Sequence, residues 1–205
     1  MSIVVEHDKR RHEILEKALD VFIEEGFEDV TYQKIADRCG ITRTTLYVYF
    51  KNKRDIFNYS IKQFLLGLEN DIGELRKKKN ISHTEKLIRV MTIIMERLEE
   101  HRRLLTVVLN YVTSHTKDDY DPSYRVRRRT VRLRHILTAL LVDGIKAGEF
   151  SQDLNVKDAN EMLYSFLEAS AFRLVILCRS SVNELKEAMK PAVRGLAVSG
   201  PHGRP

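Results

Sequence analysis

The sequence predicts an all-α protein, on three observations that agree with one another. Apolar residues recur at helical spacing, as Ile14, Ala18 and Phe22 do near the N-terminus. No segment alternates apolar and polar residues between turn dipeptides, which is the pattern that predicts strands. No proline occurs before Pro122, so nothing interrupts long helices in the first half of the 205-residue chain.

Start and stop signals along the chain delimit nine predicted helices. Thr31 and Thr42 cap the second and third helices. A serine or asparagine three residues before an acidic residue opens the fourth, fifth, eighth and ninth. Asp121 caps the seventh, with Pro122 at the favoured first position. The predicted helices cover residues 8–26, 31–40, 42–50, 52–78, 82–101, 104–114, 121–148 and 155–178, with a ninth that opens at residue 181 and is kinked or restarted at Pro191.

The composition favours a globular cytoplasmic protein and excludes several other classes. The longest unbroken apolar run, Leu174 to Cys178, is far shorter than the roughly 20 residues that a membrane span requires. Charged residues from Glu6 to Glu13 exclude a secretory leader. Cys39 and Cys178 are too few for a disulfide scaffold and are expected to be reduced thiols. The histidines lack the spacing of metal ligands, and the sequence predicts neither a metal nor a cofactor.

Charge is distributed unevenly along the N-terminal third of the chain. Residues 1–30 carry four basic and nine acidic side chains, whereas residues 31–62 carry seven basic and two acidic ones. The net charge therefore changes from −5 to +5 at Thr31, although the whole chain is only +6. A concentrated basic segment of this kind favours an anionic partner. A second basic block, Arg125 to Arg134, contains six arginines, and either a solvated helix face or an interaction surface would explain it.

The basic segment contains a helix-turn-helix pattern. Two short helices are joined by Cys39, Gly40 and Ile41, and Gly40 supplies the left-handed turn that a Cβ atom disfavours. In the second of these helices Leu46 and Phe50 lie one turn apart and face inward. The outer face is then short, basic and hydroxylated, as expected of a recognition helix in a major groove. This face and its flanks carry Arg43, Thr44, Tyr47 and Val48.

The run from Thr31 to Lys53 resembles the signature of the TetR family of repressors. Phe22 with Gly26-Phe27 upstream, and Gly148-Glu149-Phe150 near the predicted end of the seventh helix, resemble that family as well. The resemblance implies a dimeric, all-helical regulator whose first three helices bind operator DNA and whose C-terminal domain binds an inducer. It departs from the common pattern at Thr44, where glycine or proline is frequent, and at Val48, where histidine or tryptophan is frequent. Both positions face the groove and bear on which operator is recognised.

The resemblance and the chemistry of the side chains assign roles to individual residues. Lys53 is expected on a phosphate, and Arg43 either reads a guanine or contacts a phosphate without reading sequence. Tyr47 and Tyr49 either offer hydroxyls to the DNA backbone or pack between the third and fourth helices. The predicted DNA-binding residues are Thr31, Lys34, Thr42, Arg43, Thr44, Thr45, Tyr47, Val48, Tyr49 and Lys53.

The C-terminal helices are apolar enough to form both a ligand pocket and a dimer seam. Arg173 interrupts the apolar eighth helix and is expected to pair with an acidic residue such as Glu168 or to meet an acidic ligand. The candidate pocket residues, each of which has plain core packing as its alternative, are Met91, Met95, Tyr111, His115, Phe166 and Phe172. The candidate dimer residues are Phe166, Arg173, Leu174, Leu177, Leu185, Met189, Val193 and Leu196.

The sequence therefore predicts a homodimeric transcriptional repressor that releases a palindromic operator in double-stranded DNA when a small apolar or amphipathic inducer binds. We expect a DNA-binding domain over residues 1–52, a ligand-binding and dimerisation domain over residues 53–198, and a disordered tail over residues 199–205. One alternative is a DNA-binding protein of the same fold that a protein partner regulates. Another is a helical-bundle enzyme, which would require a polar catalytic set that the sequence does not display.

Overall fold

The computed structural model describes residues 2–78, 80–114 and 122–198, and within them the side chains other than those of residues 2–5, 114 and 122–130. His115, Asp121 and the predicted tail lie outside the described residues. Within the described ranges the chain forms nine helices and one isolated antiparallel bridge between Phe150 and Ala197. The prediction of an all-α fold is confirmed. The helices are α1 Ser2–Glu25, α2 Tyr32–Cys39, α3 Arg43–Tyr49, α4 Lys53–Lys77, α5 His83–Glu100, α6 Arg102–Ser114, α7 Pro122–Lys146, α8 Val156–Val175 and α9 Asn183–Arg194.

Most of the predicted caps form as local hydrogen bonds. Thr31 Oγ1 accepts from the Lys34 amide at 3.2 Å, and Thr42 Oγ1 accepts from the Thr45 amide at 3.0 Å. Asn52 Oδ1 likewise accepts from the amide three residues later, at 2.9 Å. Each cap satisfies one amide that the first turn of a helix would otherwise leave without a partner.

Two helix starts depend on carboxylates that are distant in sequence. The predicted capping box of α9 forms only in part: Ser181 Oγ accepts from the Asn183 amide at 3.1 Å, but the N-cap position is occupied by Val182, which has no capping side chain. Its amide donates instead to the Glu99 carboxylate, which also accepts from Lys186 at 3.2 Å. At the start of α5 the Glu149 carboxylate accepts from the amides of His83, at 2.9 Å, and Thr84, at 3.1 Å. Burial opposes the ionisation of Glu149, but these hydrogen bonds outweigh it and lower the pKa of that carboxyl.

The chain divides into two compact units. The first, called the head, comprises residues 1–67 and 101–122, and the second, called the body, comprises residues 68–100 and 123–205. The compact unit around α2 and α3 thus extends beyond residue 52 through the first half of α4 and includes α6. The head core is built from α1, α2, α3, α4 and α6, with Phe22, Ile35 and Leu46 among its fully buried side chains.

In the body, α5 packs against α8 and α9, and α8 packs against α9. Their apolar faces account for buried residues such as Met91, Leu163 and Met189. The body also contains a tight turn after α7, where Gly148 adopts φ +73°. The Phe150 ring then lies so close to Gly144 that a Cβ atom there would be only 2.3 Å from it. The Gly148-Glu149-Phe150 pattern therefore reflects packing: Gly148 forms the turn, and Gly144 leaves room for the Phe150 ring.

Candidate nucleic-acid interface

The turn between α2 and α3 has the geometry that the sequence predicts. Gly40 adopts φ +66° and ψ +35°, a left-handed conformation that a side chain would strain. Its amide donates to the Asp37 carbonyl at 3.0 Å, and the next amide, of Ile41, donates to the Ala36 carbonyl at 3.1 Å. The turn therefore ends α2 and starts α3 within three residues. A groove between the two helices is lined by Gln33, Asp37, Gly40, Ile41, Thr42, Arg43 and Thr45.

The outer face of α3 is exposed in the head. Arg43 and Thr44 are exposed, Tyr47 is 47% exposed and Val48 is 68% exposed. The exposed Val48 methyl groups leave open the predicted contact with a thymine methyl group. Leu46, on the opposite face of the helix, is fully buried. The helix thus separates a core face from a face available to DNA, as predicted.

Two predicted contact residues are less available than the others. Thr45 is half-buried, and its hydroxyl lies 2.8 Å from the Thr42 hydroxyl. Tyr49 is also half-buried, and its ring packs against the ring of His7 with centroids 4.7 Å apart. Tyr49 therefore packs on the α1 side of α3, whereas the packing alternative stated above placed it between the third and fourth helices. Packing of Tyr49 against α1 fixes one side of α3.

The last turn of α3 is held by two side chains that the sequence analysis does not assign to the site. Arg11 donates to the Tyr49 carbonyl at 3.1 Å, and its guanidinium lies over the rings of Phe50 and Tyr59. The Tyr32 hydroxyl donates to the Phe50 carbonyl. Both acceptors are carbonyls that a helix end leaves without intrahelical partners. Tyr32 lies within the signature run, so its position was visible in the sequence, but its contact with Phe50 depends on the fold.

A stacked pair fixes the predicted base-reading arginine. The Arg43 guanidinium donates to the Tyr47 hydroxyl at 3.1 Å and lies 5.6 Å from the centre of that ring. The Tyr47 ring in turn packs on the Tyr32 ring with centroids 4.8 Å apart and an interplanar angle of 39°. Burial, followed by the neighbouring Tyr47 and Asp55, raises the pKa of Tyr32 to about 12, so its hydroxyl stays protonated.

Acidic residues of α1 neutralise part of the basic charge on α2. Lys34, a predicted DNA contact, pairs with Glu25, and Arg38 forms a two-pronged pair with Glu24. The hydrogen bond from Arg38 is the largest influence on Glu24 and lowers the pKa of that carboxyl. The charge change at Thr31 is therefore offset across the α1–α2 contact. The positive surface that remains for DNA comes chiefly from α3 and the start of α4.

Lys53 occupies a position that the sequence analysis does not anticipate. Its ammonium donates to the carbonyls of Phe27, at 2.8 Å, and Glu28, at 2.6 Å, and lies 5.1 Å from the Phe27 ring centre. Lys53 thus fastens the segment that follows α1 to the start of α4. A lysine ammonium has three donors and two are used here, so the phosphate contact stays a prediction for the remaining one.

The described candidate pocket residues are divided between the two units. Met91 and Met95 are fully buried on α5 in the body, while Tyr111 lies in the head, in contact with the rings of Phe27 and Phe57. Of the two candidates on α8, Phe166 is half-buried and Phe172 is 52% exposed. Tyr111 therefore belongs to an aromatic cluster in the head core.

The candidate dimer residues divide into buried and exposed sets. Four are already buried by their own chain, namely Leu174, Leu185, Met189 and Val193. Leu177 is more than half exposed, and Phe166 and Leu196 are half-buried. Arg173 pairs with Glu184 at 3.1 Å and not with Glu168.

The described residues contain no cluster of His, Cys, Asp and Glu side chains that could hold a metal ion. The described helices include none with the length and apolarity of a membrane span. The candidate nucleic-acid interface consists of the exposed face of α3, the turn before it and the first turn of α4.

Comparisons with known proteins agree with this geometry. A model described as bacterial regulatory proteins of the tetR family matches residues 14–59, and one described as the tetracyclin repressor-like C-terminal domain matches residues 80–171. The fatty acid metabolism regulator protein of Bacillus subtilis is 28% identical over 94% of this chain and 95% of its own length. The repressor KstR2 of Mycolicibacterium smegmatis is 27% identical over 77% of this chain and 74% of its own length.

Solved structures show the same fold. The regulator FadR from Bacillus subtilis in complex with stearoyl-CoA has a TM-score of 0.67 and 26% identity, over 93% of this chain and 99% of that one. The fatty acid degradation regulator FadR from Bacillus halodurans has a TM-score of 0.70 and 21% identity, over 90% and 97%.

Proposed function

The chain belongs to the TetR family of DNA-binding transcriptional regulators, and we propose that its inducer is an acyl-coenzyme A thioester. It is a ligand-responsive repressor that acts as a dimer on operator DNA. The exposed face of α3 carries the DNA-binding part of this conclusion. In a symmetric dimer two such faces enter major grooves about one helical turn, or roughly 34–36 Å, apart, which requires a palindromic operator.

The proposed inducer rests on two likenesses. A fatty acid metabolism regulator of Bacillus subtilis matches 94% of this chain and 95% of its own length, and the regulator FadR from Bacillus subtilis, which matches 93% of this chain and 99% of that one, was crystallised with stearoyl-CoA. An acyl-CoA is amphipathic, with an apolar chain at one end and a polyanionic nucleotide at the other. The apolar faces of α5 and α8 in the body suit the chain. The six arginines from Arg125 to Arg134 would suit the phosphates, although the two whose side chains are described already pair with carboxylates, Arg132 with Glu69 at 2.9 Å and Arg134 with Glu161 at 2.6 Å.

The proposed dimer surface is the end of α8 and the residues after it. Phe172, Ile176 and Leu177 are each more than half exposed, and they form an apolar cluster on the surface of the body. Exposed apolar clusters of this kind mark interaction sites, and a second copy of this chain is the partner that a family of dimers requires. We expect Leu177→Glu to yield monomers in sedimentation experiments, because the substitution would bury a charge at the seam.

The signal from the body is proposed to enter the head through α4 and α6. The chain passes between the units within α4 and again just before α6. Arg103 on α6 donates to the Glu16 carboxylate and carbonyl, both at 3.3 Å, and pairs with Asp20, so α6 is anchored to α1. A displacement of α6 would therefore move α1, and Arg11 on α1 holds the end of α3.

Regulation by a protein partner is not favoured, since the closely matching regulator binds a small molecule in its crystal structure. The relatives are transcriptional regulators, and we propose neither a catalytic role nor a location other than the cytoplasm for this chain.

The proposal is tested with the purified protein and the duplex that it selects from a random-sequence library. We expect stearoyl-CoA to release the labelled duplex, as followed by fluorescence anisotropy. Coenzyme A and stearate added separately serve as matched controls, because each offers one half of the ligand. Release by stearate alone, or no release by acyl-CoA of any chain length, would contradict the proposed inducer, while selection of no duplex would contradict operator binding.

A further inference from the structure

The recognition helix α3 is too short to be stable by itself. It contains seven residues, and isolated helices below roughly 12–15 residues are marginal in water. Its orientation therefore depends on the packing of its buried face, which carries Leu46, and on contacts at its two ends. Thr42 caps the N-terminal end, while Arg11 and Tyr32 satisfy carbonyls at the C-terminal end.

Tyr32 is the one of these three residues that also touches the outer face of α3. Its hydroxyl donates to the Phe50 carbonyl, which fixes the plane of the Tyr32 ring against the end of the helix. That ring packs against Tyr47, whose own side chain is otherwise 47% exposed. An exposed tyrosine on a free helix samples several rotamers, whereas one that is packed on a fixed ring is restricted.

Tyr47 in turn restricts the orientation of the Arg43 side chain. The Tyr47 hydroxyl accepts from the Arg43 guanidinium at 3.1 Å, and the guanidinium lies 5.6 Å from the ring centre. Arginine reads guanine with two parallel hydrogen bonds, so the orientation of its planar fork decides whether the contact forms. An arginine that is oriented before binding loses less conformational freedom when it binds DNA.

We infer that Tyr32 is a positioning residue for operator recognition, which orients the Arg43 guanidinium through the ring and hydroxyl of Tyr47. This inference rests on the proposed function, in which α3 reads the operator. It adds a residue of α2 that itself touches no base in this scheme. The simpler alternative is that Tyr32 only helps to pack α2 against α3.

The two roles predict different effects on specificity. Tyr32→Phe keeps the ring but loses one hydrogen bond, and we expect operator affinity to fall about two- to tenfold. Tyr32→Leu also loses the ring contact, and we expect a further loss of about two- to tenfold. Affinity for a scrambled duplex should stay within twofold in both variants, because phosphate contacts carry no sequence information. A packing role would lower both affinities together.

The experiment measures binding of the full-length protein to the library-selected operator and to its scrambled counterpart. Tyr164→Phe is the matched control, because Tyr164 lies in the body and retains its ring beneath Arg134. Tyr32→Leu is also measured in an Arg43→Ala background, where the inference predicts no additional loss of specificity. If Tyr32→Leu fails to fold, Tyr47→Phe removes only the hydroxyl that holds Arg43, and it should lower operator affinity selectively.

Equal losses on operator and scrambled DNA, or losses that multiply fully in the Arg43→Ala background, would overturn the inference. Operator binding that is insensitive to Tyr32→Phe, Tyr32→Leu and Tyr47→Phe would overturn it alone and leave the proposed function standing. A wild-type protein that selects no duplex would overturn the proposed function and this inference with it.

Discussion

Replacing Lys53 with alanine tests whether one side chain both fastens the head and binds DNA. In the structure its ammonium donates to two carbonyls, those of Phe27 and Glu28, and lies above the Phe27 ring. The sequence resemblance places a phosphate contact at the same residue. Alanine removes all of these interactions and leaves the two carbonyls to water.

The loss of stability follows from these contacts. A hydrogen bond from a charged donor contributes about 1.5–3 kcal/mol where water is excluded, and an exposed cation–π contact about 0.5–1 kcal/mol. Because Lys53 is only half-buried and water can replace it at both carbonyls, we expect the lower end. The free energy of unfolding should therefore fall by about 1–2 kcal/mol in Lys53→Ala.

The loss of DNA binding has a separate signature. Each phosphate that a lysine neutralises contributes about 0.9 to the slope of log K against log salt, so the slope should fall by about one. The fall should be equal on operator and scrambled duplexes, since a phosphate contact is independent of sequence.

The assay combines denaturant unfolding with salt titrations of binding, on Lys53→Ala and on two comparison variants. Lys77→Ala is the control, because Lys77 is exposed in the body and pairs with its neighbour Glu74. Lys53→Arg retains the charge, and we expect it to restore most of the salt slope. An unchanged salt slope would refute the phosphate contact, and an unchanged stability would refute the fastening role.

Three further predictions follow from single side chains. Arg43→Ala should cost about 1–3 kcal/mol on the operator and little on scrambled DNA, as measured by anisotropy; equal losses would remove it from base recognition. Glu149→Gln should lower the free energy of unfolding by about 1 kcal/mol at neutral pH, because a carboxylate cap is lost. Because the pKa of Glu149 is lowered in the folded protein, the stabilisation by its carboxylate is present above the unfolded value of 4.5 and is lost as the pH falls through the folded pKa. Denaturant curves should therefore show that the difference in unfolding free energy between wild type and Glu149→Gln shrinks in acid. A difference that persists unchanged in acid would contradict the cap. Arg103→Ala should leave operator affinity intact but weaken the release of operator by stearoyl-CoA by up to about fivefold. The reason is that exposed ion pairs contribute at most about 1 kcal/mol. Full release in this variant would exclude the Arg103 ion pairs from the signal.

The helices could be predicted because most of the residues that cap their ends lie within a few positions of the helix start. Thr31, Thr42 and Asn52 cap amides within three residues of themselves, so sequence spacing is enough to find them. Glu149 and Glu99 accept from helix-start amides that lie 66 and 83 positions away, those of His83 and Val182, and no spacing rule identifies such partners. At α9 the local serine could therefore be predicted, but the distant glutamate could not.

The outer face of α3 was predictable for a related reason. Helical periodicity separates Leu46, which is buried, from Arg43 and Val48, which are exposed. Periodicity cannot say which surface covers an apolar face. Leu174 and Met189 were assigned to a partner chain, yet their own chain buries them. The apolar pattern is identical in the two cases, since burial against either surface removes the same area from water.

The proposed signal from the body has a second route into the head, through α6 as well as α4. The ring centroids of Tyr111 on α6 and Phe27 lie 4.9 Å apart, and Arg103 on α6 pairs with Glu16 and Asp20 on α1, so we expect a displacement of α6 to carry α1 with it. The same α1 helix carries Arg11, which fixes the end of the recognition helix. A ligand that displaces the start of α6 therefore acts on α3 through a contact at its C-terminal turn. A displacement of α4 alone would change only the distance between the two recognition helices of the dimer. A displacement of α6 would also change the orientation of each recognition helix. A shortened operator half-site spacing that restored binding to the ligand-bound protein would favour α4, whereas loss of binding at every spacing would favour α6.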